Sequence, residues 1–230
     1  MAELAGKVAL VTGAGSGIGK AAGGEALALS ADVADAEAMK AAVGQLVEAY
    51  GRLDLVFANA GINGVWAPID ELEPAEWDRT INTNLRGTYL TLHYAVPHLK
   101  QAGNGAIVIT ASINGSRTFT SAGATAYSAT KAGQVAMAQM LAVELGKHRI
   151  RVNVVCPGKI ETEIDDNTQS RHTEEAEVRA EYPDGNIPLT GKDPGTADEV
   201  AELVLFLLSD RARHISGTPV WIDGAQSLLV

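Results

Sequence analysis

The chain is poor in cysteine, in basic residues and in closely spaced histidines, and each shortage excludes a kind of site or partner. Cys156 is the only cysteine among 230 residues, which excludes an internal disulfide and a cluster of thiolate metal ligands. We expect it to be a small buried apolar residue at the end of a strand. The formal net charge of −10 argues against a nucleic-acid partner, because neutralising phosphates requires a basic face. No histidine pair has zinc-ligand spacing, so no metal site is predicted.

Long hydrophobic runs are missing as well. Neither a membrane span nor a signal peptide is visible, so the sequence predicts a cytoplasmic protein without a membrane partner. A hydrophobic content of 46% is enough for an ample core, and no repeat, low-complexity stretch or linker divides the chain. We therefore expect one domain over residues 1–230.

Strand-like and helix-like segments alternate along this domain. The predicted strands are residues 7–12, 26–31, 54–58, 105–111, 150–155 and 218–222, and the predicted helices are 35–50, 74–101, 123–147 and 197–209. Such alternation indicates βαβ units and an α/β fold, a Rossmann-like doubly wound parallel sheet with helices on both faces. Ligands of these sheets bind beyond the carboxyl ends of the strands, where the strand order reverses.

The first predicted strand is followed by a glycine-rich turn. Val8–Val11 form a short apolar run, and glycines follow at alternate positions from Gly13 to Gly19 before a predicted helix start. Without Cβ atoms, the backbone of this turn can approach a pyrophosphate, which the N–H groups and the positive end of the helix dipole stabilise. The strand before the turn and the helix after it are the context that this motif requires.

A second motif combines three polar side chains. Tyr127 and Lys131 are four residues apart and would share one face of a helix, while Ser112 ends an apolar run fifteen residues upstream. A cation beside the phenol lowers the pKa of tyrosine towards the range of general acid–base catalysis. Ser112 would hydrogen-bond the oxygen that gains or loses the proton. The alternative is that the Tyr–Lys spacing is an accident of one helix.

Taken together, the motifs resemble those of the classical short-chain dehydrogenase/reductase family, in family order from residue 7 to residue 224. The matching residues are Thr12-Gly13-x-x-x-Gly17-Ile18-Gly19, Asp32-Val33, Asn59-Ala60-Gly61, Asn84, Ser112 with Tyr127 and Lys131, Pro157-Gly158 and Thr162. The resemblance implies an NAD(P)-dependent oxidoreductase that transfers a hydride between a nicotinamide cofactor and a small secondary alcohol or ketone.

The resemblance also implies a role for each residue. Tyr127 would be the general acid or base, and Lys131 would lower its pKa and bind the nicotinamide ribose. Ser112 would polarise the carbonyl, and Asn84 would hold a water that links Lys131 to solvent; the alternative for Asn84 is a polar residue that bends a long helix. The implied cofactor-binding residues are Gly13, Ser16, Gly17, Ile18, Gly19, Asp32, Val33, Asn59, Ala60, Gly61, Tyr127, Lys131, Pro157, Gly158, Ile160 and Thr162.

One region departs from the family pattern. Asp32 follows Gly19 by only thirteen positions, whereas a βαβ unit needs roughly 30 residues, so a segment with the second strand is missing at the junction of Ala22 and Gly23. Either the protein has this segment and the 230-residue sequence joins its two flanks, or the deletion is real. A real deletion would favour a catalytically silent binding or regulatory protein on the same fold.

The missing segment would also carry the residue that discriminates NAD from NADP. Ser16 stands where NADP-preferring members often carry a basic residue, which favours NAD. The polar, acidic stretch 163–195 matches the family's substrate lid, and acidic side chains facing the pocket would disfavour anionic substrates. In the family, the helices over 74–101 and 123–145 form dimers, which commonly pair into tetramers, so a homodimer or homotetramer is expected.

Overall fold

A parallel sheet forms the centre of the computed structural model, which describes residues 4–21, 26–162, 164, 167–177 and 182–229. The strands are β1 (Ala9–Val11), β2 (Leu55–Ala58), β3 (Gly64–Trp66), β4 (Gly105–Thr110), β5 (Ile150–Pro157), β6 (Ile160–Glu161), β7 (Thr168–Ser170), β8 (Gly195–Thr196) and β9 (Pro219–Ile222). The central sheet has the order β1-β2-β4-β5-β9 with every pairing parallel. Two small parallel pairs, β3–β7 and β6–β8, lie outside it.

Helices cover both faces of this sheet. They are α1 (Gly17–Ala21), α2 (Ala36–Tyr50), α3 (Pro74–Thr80), α4 (Gly87–Ala102), α5 (Thr125–Gly146) and α6 (Ala197–Leu208), with a π-helical segment, Ile81–Arg86, between α3 and α4. Alternate side chains of a strand point to opposite faces. In β4, Ile107 and Ile109 pack with α2, α4 and α5, whereas Ala106 and Val108 pack with α6. The Rossmann-like α/β fold with a central parallel sheet is therefore confirmed.

Most of the predicted elements are present, with one exception. Five of the six predicted strands form, and the long helix predicted over 74–101 is continuous from α3 through the π segment to α4. The strand predicted over residues 26–31 was wrong, because that segment is irregular and mostly exposed. A strand needs a neighbour for its backbone N–H and C=O groups, and β1 pairs with β2 alone among the described residues. Leu29 packs on the core, but Leu27 is 44% exposed.

Several features of the described residues bear on what kind of protein this is. Cys156 is fully buried near the end of β5, as expected, and burial raises the pKa of its thiol to about 11. None of the described helices combines the length and apolar character that a membrane span requires. Groups of three or more metal-ligating side chains do not occur in the part of the chain that the structure describes. The junction of Ala22 and Gly23 lies outside the described residues.

A buried carboxylate ties the start of the sheet together. Asp54 is 1% exposed, and its Oδ2 accepts hydrogen bonds from the backbone N–H of Val8 (3.0 Å) and from Arg52 Nε (2.8 Å). Burial alone would raise the pKa of this carboxyl, but the hydrogen bonds from Arg52 and Val8 outweigh burial and hold the pKa below its usual value. The charged form is thus favoured in the folded protein.

We expect Asp54→Asn to destabilise the fold at neutral pH by about 1–3 kcal/mol, the cost of disrupting a buried, charge-assisted hydrogen-bond group. A carboxyl whose pKa is lower in the folded than in the unfolded state contributes stability above its unfolded pKa and loses it as pH falls. The difference between the two proteins in urea unfolding should therefore shrink between pH 7 and pH ~3. Asp70→Asn, at an exposed position, is the control; an equal loss in both variants would contradict the role of Asp54.

Candidate active site

The glycine-rich turn after β1 packs closely on the loop after β2. A Cβ on Gly13, which has a φ of +68°, would lie 3.0 Å from Ala60 Cα, and a Cβ on Gly19 would lie 2.4 Å from the carbonyl oxygen of Gly13. These positions cannot carry a side chain without moving the backbone. Gly17, with a φ of +52°, faces Thr162, whose Cγ2 would lie 3.3 Å from a Cβ there. The structure therefore brings Gly13, Gly17 and Gly19 together with Ala60 and Thr162.

A chain of hydrogen bonds runs from this turn to the predicted catalytic lysine. The hydroxyl of Thr12 accepts from the backbone N–H groups of Asn59 (3.0 Å) and Ala60 (3.1 Å). The side-chain oxygen of Asn59 accepts from the Thr110 hydroxyl at 3.0 Å. The carbonyl of Thr110 in turn accepts from Lys131 Nζ at 2.9 Å. The carboxyl ends of β1, β2 and β4 are thus joined to α5 through polar side chains.

Lys131 is buried, with 3% of its surface exposed, and its ammonium group lies 5.4 Å from the centre of the Tyr127 ring. Burial lowers the pKa of Lys131 to about 8, although the neighbouring Cys156 acts in the opposite direction. Removal of water from an ammonium group disfavours its charged form. The pKa of Lys131 therefore lies closer to physiological pH than that of an exposed lysine.

Ser112 and Tyr127 line one pocket of about 410 Å³. Ser112 is 7% exposed, and its Oγ accepts a hydrogen bond from the backbone N–H of Asn114 at 3.1 Å. Tyr127 is 8% exposed and packs beside Trp66, with 6.3 Å between the ring centres. Because Asn114 fixes the Ser112 oxygen as an acceptor, the serine hydroxyl can direct its own proton into the pocket.

Asn84 lies in the π-helical segment between α3 and α4 and is completely buried. Its side chain accepts from the backbone N–H of Ile62 (2.8 Å) and donates to the Ile62 carbonyl (2.8 Å) and the Thr130 hydroxyl (3.2 Å). A Cβ on Gly61 would lie 3.2 Å from Asn84 Oδ1 and 3.7 Å from Lys131 Nζ. Asn84 and Lys131 therefore border the same small space above Gly61.

The remaining predicted cofactor residues lie in three different places. Gly158 and Ile160 line the pocket of Ser112 and Tyr127, and Pro157 ends β5 beside them. Ile18 packs on the face of the sheet that α6 covers, whereas Ser16 is exposed. The exposed Asp32 and its neighbour Val33 lie at the start of α4, since a Cβ on Gly87 would lie 2.8 Å from Val33 Cγ2.

The pocket also includes residues that sequence reasoning missed. Trp66 donates from Nε1 to the carbonyl of Asn63, and Asn63 Nδ2 donates to Thr168 Oγ1 at 2.7 Å. These contacts and the β3–β7 pairing attach residues 168–170 to the wall beside Tyr127. Trp66 lies in a strand of three residues, which is too short for alternation to mark the face of its side chains, so no local pattern pointed to it.

A salt bridge holds the same segment at its far end. Arg171 forms two hydrogen bonds with the carboxylate of Glu76 (2.9 and 2.8 Å), and these lower the pKa of Glu76 to about 2. His172 Nδ1 lies 2.7 Å from Glu71 Oε2, and hydrogen bonding to Glu71 raises the pKa of the imidazole. Residues 168–172 are therefore fixed to both β3 and α3.

The acidic residues of the predicted lid do not form the pocket wall where the structure describes them. Glu174, Glu175 and Glu177 are exposed and lie outside the lining, while Glu163, Asp165 and Asp166 lie outside the described residues. Among the described lining residues, Lys159 alone carries a charge. The expectation that acidic side chains would disfavour an anionic substrate finds no support in the described part of the lid.

The described residues fit a nicotinamide dinucleotide. The side of the glycine turn at Gly15 is open, with no atom within 4 Å of a Cβ built there, whereas the opposite side packs on Ala60. Such a turn leaves backbone N–H groups available for phosphate oxygens. Ser112 follows the carboxyl end of β4, and Tyr127 and Lys131 lie beside it in the first two turns of α5. Ligands of open parallel sheets bind at this edge of the sheet.

Comparison with known proteins gives close matches over most of the chain. A family model described as enoyl-(acyl carrier protein) reductase matches residues 13–225. The cyclohexanol dehydrogenase of Acinetobacter sp. (strain SE19) is 37% identical over 250 residues, covering 95% of this chain and 94% of the relative. The crystal structure of a 3-ketoacyl-ACP reductase from Sinorhizobium meliloti 1021 is 57% identical, with a TM-score of 0.94 over 97% of this chain and 100% of that one.

A third protein was solved with a bound cofactor. The 3-ketoacyl-(acyl-carrier-protein) reductase from Brucella melitensis, complexed with NADH, is 29% identical and superposes with a TM-score of 0.85 over 97% of this chain and 99% of that one. These similarities agree with the α/β fold and the central parallel sheet described above. The chain belongs to the short-chain dehydrogenase/reductase family.

Proposed function

We propose that this protein is an NAD(P)-dependent oxidoreductase that interconverts a secondary alcohol and a ketone, with Tyr127 as general acid and base. The observation that carries the proposal is that Lys131 is buried with its ammonium group 5.4 Å from the centre of the Tyr127 ring, while Tyr127 and Ser112 line one pocket. Burial also lowers the pKa of Lys131 to about 8. Perturbed pKa values in a cleft are typical of catalytic groups. The family uses a nicotinamide dinucleotide, which would lie against the glycine turn and supply the hydride chemistry.

The chain's own residues would handle the oxygen and the proton. Ser112, oriented by the N–H of Asn114, would donate a hydrogen bond to the substrate oxygen and hold it in place. Tyr127 would give its phenolic proton to that oxygen in reduction and take it back in oxidation, as a general acid and base. Lys131 would stabilise the phenolate through its charge, because an adjacent cation favours the ionised form.

The pocket wall supports a substrate that makes hydrogen bonds. The pocket is lined by both polar uncharged and apolar side chains. The polar ones include Asn63, Thr118, Ser121 and Asn186, and Ile164 is one of the apolar ones. Such mixed walls orient a ligand through a few polar groups. A direct test is to follow the absorbance of the reduced nicotinamide with a panel of neutral and anionic secondary alcohols and ketones. Absence of turnover with NAD and NADP across the panel would refute the proposal.

The choice of cofactor rests on the glycine turn. Ser16, which is exposed there, brings no positive charge for a 2′-phosphate, and this supports NAD over NADP. Residues 163–195 are proposed to be the substrate lid, since Ile164, Tyr182 and Asn186 contribute to the pocket wall. A dimer or tetramer is proposed from the exposed apolar residues on α5, Met140 (73%) and Val143 (85%).

The alternative of a catalytically silent binding protein also has an observation in its favour. The edge of β1 away from β2 is unpaired within the described residues, and residues 26–31 do not extend the sheet. If the deletion after Ala22 is real, the adenosine side of the cofactor site is incomplete. A folded protein that fails to bind either dinucleotide in a titration would favour this alternative.

We expect Gly19→Ala to weaken cofactor binding at least about tenfold, a change of about 1.4 kcal/mol in binding free energy. The added Cβ would lie 2.4 Å from the Gly13 carbonyl oxygen and would displace the turn. The matched control is Gly44→Ala on α2, because Gly44 is exposed and no other atom lies within 4 Å of a Cβ at that position. Dissociation constants from fluorescence titration with the reduced cofactor check the prediction, and equal affinities for the two variants would contradict it.

A further inference from the structure

A buried glutamine stands next to the proton-transfer residues. Gln134 lies on α5 three positions after Lys131 and is 1% exposed. Its Nε2 donates to the backbone carbonyl of Asn84 (3.0 Å) and to Thr88 Oγ1 (2.8 Å). Burying an amide without hydrogen bonds costs free energy, so a buried amide indicates that its hydrogen bonds contribute to the structure around it. Neither the sequence motifs nor the proposed mechanism assigns a role to this residue.

The orientation of the Gln134 amide is determined by its partners. The Asn84 carbonyl can only accept, and the Thr88 hydroxyl spends its proton on the same carbonyl at 2.8 Å. Both partners therefore require a donor, which places Nε2 and not Oε1 against them. Gln134 Oε1 itself has no hydrogen-bond partner among the described residues. The side chain of Gln134 therefore satisfies both of its N–H donors and leaves its oxygen without a hydrogen bond.

These contacts hold Asn84 at its backbone. Thr88 and Gln134 both donate to the Asn84 carbonyl. The side chain of Asn84 reaches in the other direction, to Ile62 and Thr130. Its Oδ1 keeps one lone pair, and this atom borders the space above Gly61 that Lys131 Nζ also borders. Asn84 and Lys131 are thus held on the same side of Gly61, as a proton path between them requires.

We propose that Gln134 is a positioning residue for proton transfer: it holds the Asn84 carbonyl and so fixes the π-helical turn from which the Asn84 side chain reaches Ile62 and faces Lys131. The inference rests on the proposed function for its catalytic part. The π segment needs such support, because π-helical turns are rare and occur mostly at functional sites. Gln134 and Thr88 clamp it from α5 and from α4.

The test uses Gln134→Met, which keeps the length of the side chain and removes both donors. Thr88→Val disrupts the same clamp from α4 and is the second variant in case one of them fails to fold. Thr91→Val is the control, because the Thr91 hydroxyl makes an equally buried bond to the Gly87 carbonyl, one turn further along α4, without contacting Asn84. The unfolding midpoint of each protein separates stability from positioning.

Two readouts distinguish positioning from structure. Hydrogen exchange of the Ile62 N–H, which donates to Asn84 Oδ1, should accelerate about tenfold in Gln134→Met and Thr88→Val and stay unchanged in Thr91→Val, since a loosened π turn releases Asn84. In the same two variants kcat should fall about tenfold with a larger solvent deuterium isotope effect, while cofactor affinity stays within about twofold.

Each outcome decides one part of the inference. Unchanged Ile62 exchange in both clamp variants would overturn the positioning role. Faster exchange with kcat and isotope effect equal to those of Thr91→Val would overturn its connection to proton transfer and leave a structural role only. Absence of turnover in the unmodified protein would overturn the proposed function and the catalytic part together, while the exchange measurement still tests how Asn84 is held.

Discussion

Tyr127→Phe is expected to lower kcat by about 10²–10⁴-fold, the range that a positioned general acid or base contributes, with little change in cofactor affinity. The substitution deletes only the phenolic oxygen, so the ring remains packed beside Trp66 and Lys131. Steady-state rates in both directions, together with fluorescence titration of the cofactor, provide the measurement.

The control for this prediction is Tyr94→Phe, which removes a phenolic oxygen from a partly buried tyrosine that packs on the core of the sheet. That variant should keep its turnover within about twofold, because Tyr94 is not among the residues lining the pocket. If Tyr127→Phe retained more than a tenth of the activity, the acid–base role would have to be given to another group.

Lys131→Met is expected to lose activity as severely and to weaken cofactor binding as well, because the proposed roles of Lys131 include both. The burial of Lys131 also affects the pH dependence of stability, which an exposed lysine would not do. Burial lowers the pKa of Lys131 from 10.5 to about 8, so between these values the unfolded chain binds a proton that the folded protein releases. The unfolding free energy of the unmodified protein therefore rises with pH in this window.

The size of that rise follows from the pKa values. The shift from 10.5 to about 8 corresponds to about 3 kcal/mol as an upper figure. Urea unfolding between pH 7 and 10.5 should show the unmodified protein gaining up to this amount relative to Lys131→Met. Lys40→Met, at an exposed position on α2, should follow the unmodified protein. Parallel pH profiles for all three proteins would contradict the burial of a titrating cation.

The sequence predicted the elements whose cause is local. Apolar β-branched runs such as 105–111 and amphipathic stretches such as 197–209 gave strands and helices at nearly their observed positions. The strand predicted over residues 26–31 was wrong because a strand needs a neighbouring strand to pair with, and a local sequence pattern does not show whether one is present. The π turn was not predicted either. One of its carbonyls, that of Asn84, accepts a hydrogen bond from Gln134, a residue 50 positions further along the chain.

The site was predictable where a motif fixes both residue type and spacing. Gly13, Gly17 and Gly19 follow from the backbone approach at the turn, and Tyr127 and Lys131 from the helix period. Trp66 could not be found in this way, because its place beside Tyr127 depends on the pairing of β3 with β7, which are separated by about a hundred residues. The Thr110 carbonyl, which accepts the hydrogen bond from Lys131 Nζ, is a backbone group, and sequence patterns do not identify such partners.

The order of strands in the sheet has a consequence for how the chain acquires its structure. Within the described residues, each strand of the central sheet pairs with the central strand that precedes it in the chain, from β1 to β9. Among these described strands, none has to insert between two that are already paired. The sheet can therefore grow in one direction while the polypeptide leaves the ribosome, with each new strand finding its template already in place. The connection between β5 and β9 is the longest between paired strands of the described central sheet, and closing a longer loop costs slightly more entropy.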